Sequence, residues 1–440
     1  MPAIVTNEHR IVAADYFQND LHKIPTYVFV GGTSEWADEN LPPNIDDSTL
    51  DTIFAHEELI GVKRIQIADT ISVLPRIDWQ SGVVYDEYTD DVNLIDRRNP
   101  ETDEFYKFYV VTSEFNVYKC ISNNYRTPST VVPSGTSINT FQTPDGYIWK
   151  YMYTIKSPDA FTYMTPNWIP CYTLSSNDGS SQWLVQSAAV PGTIDNIKVL
   201  DGGANYTTSN PPTVTISGDG TGASAIAEID DVSGVITAIN VTDPGEGYTN
   251  AKVTISGGAG VGAEARPILS PIKGHGHDPR IELGAVYKMI RVVFEGDESG
   301  TLPIGVEYRK AGILQLPESA TDSGQALAVT DSSLYSPGET VTGQASSASG
   351  TVRTVDYFKN YIYLENVSGS FIQNETVSSQ TYNETDVLQI FTIDNLPITS
   401  SVVAASDIKP YSGELLYFST REKITRGSNQ TEEIRFVINF

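Results

Sequence analysis

The sequence predicts a mainly β protein, all-β apart from a few short helices. Its 440 residues include 34 Gly and 24 Pro spread along the whole length, which implies many short strands joined by turns. The final segment alternates, with Ile434, Phe436, Ile438 and Phe440 on one face. Because a domain seldom ends on an exposed Phe, we expect this strand to pair with strands made much earlier in the chain. The expected fold is therefore a discontinuous β-sandwich core, closed by N- and C-terminal segments and carrying inserted β modules.

Composition limits the classes of function that the chain can have. The net charge of −27 comes from 55 acidic and 28 basic residues, so a nucleic-acid partner is not expected. Cys120 and Cys171 are far from any CxxC pattern, and we expect buried thiols and no zinc site. Residues 1–10 have no apolar leader core, and no apolar run is long enough to span a membrane. We therefore expect a protein made and kept in the cytoplasm of the producing cell, without membrane insertion.

The first part of the chain predicts two helices and two strands. Apolar residues at three- and four-residue spacing predict a helix over 11–22, and 27–30 reads as a buried strand. The cluster Asp46-Asp47-Ser48 is an N-cap for a second helix. A strand-like pattern then runs over 65–73.

Two segments with notable carboxylates follow. In Pro75-Arg76-Ile77-Asp78-Trp79 we expect the Asp78 carboxylate to accept backbone N–H groups while the Trp79 indole packs beneath the loop. An interface role for Trp79 is the alternative. The segment 85–91 holds four carboxylates, which we interpret as a solvated loop because nothing apolar nearby would raise one pKa above the others. A paired acid and base is the alternative.

The next segments are rich in aromatic residues. Alternation over 105–120 predicts a hairpin with its turn at Asn116. The strand 146–155 places Tyr147, Trp149, Tyr151 and Tyr153 on one face. We interpret it as a strand buried on both sides, with a stacking platform for sugars or bases as the alternative. Ser157-Pro158-Asp159 predicts the start of a short helix.

An internal repeat occupies 191–272. Five positions recur at an offset of 42, namely Ile194, Ile197, Val199, Gly203 and Tyr206 as Ile236, Ile239, Val241, Gly245 and Tyr248. Val214–Gly218 returns as Val253–Gly257, and Gly220, Gly222 and Ala223 return as Gly260, Gly262 and Ala263. The repeat predicts two copies of a small β unit, each needing the other to bury its apolar face.

The most metal-like string is Gly274-His275-Gly276-His277-Asp278-Pro279. On a strand, His275 and His277 would share a face, and Asp278 could add an oxygen ligand. The flanking Gly and Pro favour a linker where the chain re-enters the core. We expect no metal and no cofactor, and keep these three residues as the alternative metal ligands.

The remaining chain predicts a strand over 283–294, a strand pair over 302–316 and a second inserted module with a weak duplication. In it Tyr335 and Pro337–Val341 are echoed by Phe371 and Gln373–Val377. The core is expected to resume at 390–393. The predicted domains are a core of 1–78, 273–320 and 386–440, a second β domain of 79–190, the tandem repeat of 191–272 and a small β module of 321–385.

Four motifs resemble a known family. They are Ser412-Gly413-Glu414 with Tyr417 and then Gln430–Ile434 before a final Phe; Pro75–Trp79; Asp145–Tyr151; and, more weakly, Tyr27–Gly31 with Ser34-Glu35-Trp36. In order and spacing the sequence resembles the baseplate wedge subunit of T-even-type contractile-tail phages, the gene product 8 family. The resemblance covers about two-thirds of the chain, and the two inserted modules have no counterpart in it.

The resemblance implies a structural subunit of the tail baseplate, assembled in the host cytoplasm. It implies a homodimer within each wedge, held by other baseplate wedge proteins, and no catalysis. We expect the motif residues to serve as structural or interface anchors. These are Trp36, Asp78, Trp79, Tyr147, Trp149, Tyr151, Gly413, Glu414, Tyr417, Glu432, Glu433 and Phe440.

Two other classes of function stay open. A virion surface adhesin that binds carbohydrate through the inserted repeats is the main alternative. A glycan-cleaving enzyme needs only two carboxylates, and the sequence cannot select a pair from 55 candidates. No GxSxG, Walker A, HExxH or CxxC string is present, so no enzyme is expected.

Overall fold

The computed structural model describes residues 5–95, 98, 100, 103–381 and 383–440, and it is mainly β, as the sequence predicts. The chain forms two compact units. Unit 1 comprises the residues up to Ala14, Ile71–Lys288 and Ile438–Phe440, and unit 2 comprises Asp15–Thr70 and Met289–Val437. The tandem repeat belongs to unit 1 and the module of 321–385 to unit 2, so the units divide the chain at other positions than the predicted domains.

The elements before the tandem repeat are α1 (Asn7–Lys23), β1 (Thr26–Gly31), α2 (Thr49–Glu57), β2 (Leu59–Arg64), β3 (Thr70–Pro75), β4 (Tyr109–Val111), β5 (Asn116–Ser122), β6 (Phe141–Gln142), β7 (Ile148–Thr154), α3 (Ser157–Tyr163), β8 (Trp168–Pro170) and α4 (Ser181–Ser187). The Ser48 side chain caps α2 by accepting from the Asp51 N–H, as predicted. The single strand predicted over 65–73 is wrong, because a 3-10 turn at Ile67–Asp69 interrupts it.

The repeat region contains β9 (Ile194–Ala204), β10 (Thr213–Gly218), β11 (Ser224–Asp230), β12 (Val235–Asp243), β13 (Ala251–Ser256), β14 (Val261–Leu269) and then α5 (Pro279–Leu283). The last third contains β15 (Tyr287–Glu295), β16 (Glu307–Gln315), β17 (Gly324–Val329), β18 (Thr340–Gly343), β19 (Ser349–Asp356), β20 (Tyr361–Ser368), β21 (Thr376–Ser379), β22 (Glu384–Ile393), β23 (Val402–Ala404), β24 (Glu414–Thr425) and β25 (Thr431–Asn439). The strand pair predicted over 302–316 is wrong, since this stretch holds only β16.

A five-stranded sheet organises unit 2, in the order β23-β2-β1-β16-β24. All six residues of β1 are buried, which fits its central place in the sheet. Val28 lies opposite Ile313 of β16, and Ile313 lies opposite Tyr417 of β24. Strands from the early and late parts of the chain therefore share one sheet, as a discontinuous core requires.

A second antiparallel sheet, in the order β4-β5-β7-β6, lies in unit 1. The predicted hairpin is present, but its turn comes before Asn116, which is already the first residue of β5. Phe115 takes the left-handed conformation in that turn, with φ of 61°. Asn116 instead lies opposite Thr154, so strand pairing outweighed its turn preference.

The tandem repeat folds as two intertwined copies. The first strand of each copy pairs with the third strand of the other, β9 with β14 and β12 with β11, and the middle strands β10 and β13 pair with each other. A Cβ at Gly260 of the second copy would clash with the Tyr206 ring of the first, and one at Gly220 would clash with Tyr248. One shared core joins both copies, as predicted from the repeated apolar positions.

The second inserted module is a closed six-stranded barrel, in the order β17-β20-β19-β18-β21-β22. The duplicated strands β18 and β21 pair directly, and Tyr335 and Phe371 both lie in the barrel core. The expectation that the central core resumes at 390–393 is wrong. These residues belong to β22, which closes the barrel by pairing with β17.

Candidate functional site

The histidine string does not form a metal site of the kind considered. Residues 271–278 form turns and not a strand, so His275 and His277 do not share a strand face. The Asp278 carboxylate is used as the N-cap of α5, where Oδ1 accepts the N–H groups of Arg280 at 3.1 Å and Ile281 at 3.3 Å. Within the described ranges, no group of three or more His, Cys, Asp or Glu side chains is arranged to hold a metal.

His275 instead belongs to a buried charge cluster that sequence reasoning missed. Lys119 Nζ lies 3.0 Å from Glu282 Oε2 and 3.1 Å from His275 Nδ1, and it lies 3.9 Å from the centre of the Tyr88 ring. The other Glu282 oxygen accepts the Gly276 N–H at 2.8 Å. The cluster ties β5 to α5. The one available signal was a Lys at the centre of the apolar strand Tyr118-Lys119-Cys120.

The pKa values of all three groups in the cluster are shifted, and burial lowers that of Lys119. Burial alone would raise the pKa of Glu282, but Lys119 and His275 outweigh it and lower the pKa to about 2. Burial and the neighbouring Lys119 lower the pKa of His275. At neutral pH Glu282 is therefore ionised and His275 is neutral. This arrangement is typical of a buried Lys119–Glu282 ion pair with a hydrogen-bonded imidazole beside it, and it does not favour proton transfer by His275.

The hydrogen-bond partners predicted for the Asp78 carboxylate are wrong. Its carboxylate accepts from the Arg76 guanidinium, with Nε 2.9 Å from Oδ2, because Arg76 is two residues away on the same side of an extended segment. The Trp79 indole is half-buried and donates to Ser129 Oγ at 3.1 Å. The Asp145 carboxylate, which also accepts from Ser129 Oγ, is one that does accept backbone N–H groups, from Thr130 at 2.7 Å and from Val131 at 2.9 Å.

The aromatic stripe on β7 is core. Tyr147, Trp149 and Tyr151 are buried, and the Tyr147 and Trp149 rings stack with centres 5.5 Å apart. The register shifts between Tyr151 and Tyr153, so Met152 is an extra residue and Tyr153 turns to the opposite face. The expectation that all four rings share one face is therefore wrong. The stacking-platform alternative is wrong as well, because the rings are inaccessible.

The C-terminal motif residues lie around the edge strand β24. Gly413 has φ of +82°, and a Cβ there would lie 2.8 Å from the Gln315 carbonyl oxygen, so the turn into β24 requires glycine. Glu414 is exposed, and the Leu416 and Tyr417 side chains are 44% and 49% exposed. Among the described strands, β24 has a hydrogen-bonded neighbour on one side only, which is β16.

The remaining motif residues have structural contacts. Glu432 is buried and paired with Arg426, while the exposed Glu433 pairs with Arg291 and Arg435 at 2.5 Å. The Phe440 N–H donates to the Val286 carbonyl at 3.2 Å, and the Arg10 guanidinium donates to the Phe440 carbonyl. Trp36 is half-buried in a stretch without regular secondary structure.

A polar cleft of about 320 Å³ lies between the β4–β7 sheet and the tandem repeat, both in unit 1. We call it the β12 cleft, because four consecutive residues of β12, Ala238–Val241, line it. Its other wall includes Tyr125 and Phe141. Sequence reasoning did not find it, since its walls come from segments about 100 residues apart.

These features define a mainly β protein of two units with internally duplicated β modules and no assembled metal centre in the part of the chain that the structure describes. Comparison with known protein families and with curated proteins found no match to the chain. None of the described helices combines the length and apolar composition of a membrane-spanning helix.

Proposed function

We propose that the chain is a structural subunit of a phage contractile-tail baseplate wedge, linking neighbouring wedge proteins without catalysis. The support is the resemblance of its motifs together with the contacts that those motif residues make. Asp145, Trp149 and Glu432 are used in loop bonding, core packing and a buried ion pair. Such uses suit architecture and leave little of the motif for chemistry.

The observation that carries the proposal is the open edge of β24. This strand is 12 residues long and exposes Leu416 and Tyr417. An unpaired edge strand is a template for pairing with another chain. Monomeric proteins usually blunt such edges with charges and bulges, and β24 combines its exposed apolar residues with Arg421, Glu422 and Lys423 and with two register shifts. An assembly subunit, whose surfaces are covered in the complete particle, can retain one.

We propose that a second copy pairs with β24 to form the homodimer. An antiparallel strand from the second copy would pair with the backbone N–H and C=O groups that β24 leaves open on this side. A two-fold axis perpendicular to the joined sheet would place one residue of β24 opposite its own copy.

The experiment is to measure the oligomeric state and the assembly of edge variants. Leu416→Lys and Tyr417→Lys should give a monomer by light scattering and should fail to incorporate into wedge complexes, while melting near the wild-type temperature. The matched control is Val232→Lys, at a turn residue that is 97% exposed and far from β24 in the sequence. A wild-type chain that is monomeric and absent from purified tail baseplates would overturn the proposal.

A surface adhesin is the second candidate, and one observation favours it. The β12 cleft is a polar concavity lined by the inserted repeat, for which the resemblance offers no counterpart. The two functions are compatible, because an assembly subunit can expose a module that binds a host surface.

A further inference from the structure

We propose that the β12 cleft binds a neutral oligosaccharide. Its volume of about 320 Å³ is at the small end of the range of roughly 300–1,000 Å³ usual for small-molecule sites. That size suits a short stretch of a glycan and not a large cofactor. The inference names the ligand class of the adhesin candidate and rests on that candidate, but it does not depend on a role in a baseplate.

Polar side chains reach the cleft from both walls. Asn124 and Gln142 come from the second β domain, and Asn196, Glu228 and Asn240 come from the repeat. Asn240 Nδ2 donates to Glu228 Oε2 at 3.2 Å, which fixes both groups and leaves the Asn240 oxygen and the other carboxylate oxygen with acceptor capacity. Side-chain amides both donate and accept, and sugar hydroxyls do the same.

Two aromatic rings are positioned at the cleft. Phe141 is half-buried and held edge-on by Tyr118, with ring centres 6.0 Å apart. The Tyr125 side chain is 53% exposed, on a segment where Asn124, Tyr125 and Arg126 have φ of 46°, 56° and 65°. Three consecutive non-glycine residues in this region are strained, and such strain concentrates at binding sites. Rings of this kind pack against the apolar faces of sugars.

The charge of the cleft selects the class of glycan. Asp195 and Glu228 line it, and no Lys, Arg or His is among its described lining residues. An acidic sugar or a phosphate would be repelled by these two carboxylates at close range. The hydroxyls of a neutral sugar can donate hydrogen bonds to the same carboxylates. The charge of the cleft therefore favours neutral over acidic sugars.

A neighbouring region of the same sheet face gives an internal comparison. Lys198, at the position equivalent to Asn240 in the first copy, pairs with Glu87 at 3.4 Å. Arg266 pairs with Asp90 and Asp91 of the same loop. The acidic segment 85–91 is thus a clamp onto the repeat and not the solvated loop expected from sequence. The two equivalent regions of this sheet face have diverged, one closed by ion pairs and the other open and polar.

The test applies the full chain to an array of neutral and acidic di- to tetrasaccharides and then titrates the best binder by calorimetry. Neutral saccharides should bind, and Asn240→Ala and Phe141→Ala should each weaken binding about tenfold, the effect of losing roughly 1.4 kcal/mol. Thr242→Ala, which removes an exposed hydroxyl from the same strand outside the cleft, should change affinity less than twofold.

Three results would overturn the inference: no neutral saccharide bound, acidic saccharides preferred, or binding unchanged in Asn240→Ala. Asn240 is exposed, so its truncation leaves the fold intact and decides the case even if Phe141→Ala unfolds. Failure here would leave the assembly proposal standing, since that one is judged by oligomeric state and incorporation.

Discussion

Arg426 and Glu432 form a buried ion pair at the connection between β24 and β25, with Nε 3.1 Å from Oε2. The guanidinium also donates to the Pro303 carbonyl at 2.9 Å and the Gly296 carbonyl at 2.6 Å. Each partner offsets part of the other's cost of burial, and the carbonyls accept hydrogen bonds from two further guanidinium nitrogens. The pair therefore fixes the path by which the chain leaves the open edge strand.

Breaking this pair should destabilise unit 2 strongly. Glu432→Ala leaves Arg426 buried without its counter-charge, which costs about 3–5 kcal/mol. The neighbouring Glu433→Ala removes a partly exposed pair and should cost less than about 1 kcal/mol. Thermal melting of both variants checks the contrast, and equal melting temperatures would contradict it.

Trp149 should be essential for folding of unit 1. Its ring is fully buried between Tyr147 and Tyr85, so Trp149→Ala should cost about 3–5 kcal/mol through lost contacts and a cavity. Soluble yield and melting temperature are the measurements. Trp79→Ala is the comparison, and it should cost less because that ring is only half-buried. A soluble Trp149→Ala protein with wild-type melting would show that the stack is dispensable.

The two copies of the repeat should respond equally to equivalent substitutions. Gly260→Ala and Gly220→Ala should each destabilise the module by about 1–3 kcal/mol, because the new methyl groups clash with Tyr206 and Tyr248. Gly427→Ala is the control, since its nearest atom would be 3.3 Å from the added Cβ. Urea denaturation compares the three. A large difference between the first two would argue against the equivalence of the copies.

The cluster of Lys119, His275 and Glu282 predicts a loss of stability in acid. The pKa of His275 is lowered in the folded protein, so the unfolded chain binds more protons as the pH falls below about 6.5, and stability declines. Glu282, with a folded pKa of about 2 against 4.5 unfolded, loses its contribution only as the pH falls from about 4.5 towards 2.

Melting temperatures measured between pH 7 and pH 5 test this directly. His275→Asn keeps an acceptor for Lys119 but has no titrating group. The free energy of unfolding of the variant should therefore fall less steeply in this range. The difference in slope from the wild type should be at most about 1.4 kcal/mol per pH unit. Parallel curves for the variant and the wild type would show that His275 is not the acid-sensitive group.

The pattern of residues in the sequence predicted several features of the fold. The capping of α2 by Ser48, the shared core of the two repeat copies and the joining of early and late strands all follow from residue pattern. It could not predict the bulge at Met152, because an extra residue in a strand leaves no mark on composition. Nor could it pair Lys119 with Glu282, or form the β12 cleft, since these contacts depend on which distant segments meet.

The two ends of the tandem repeat lie side by side. The Ser270 N–H donates to the Thr193 carbonyl at 2.9 Å, and the Thr193 N–H donates to Ser270 Oγ at 3.0 Å. The chain therefore enters and leaves the repeat at neighbouring points, so removing the segment leaves two close ends to join. We expect genetic recombination to remove or exchange this segment as a cassette of both copies, whereas losing one copy alone would leave the other with unpaired strands.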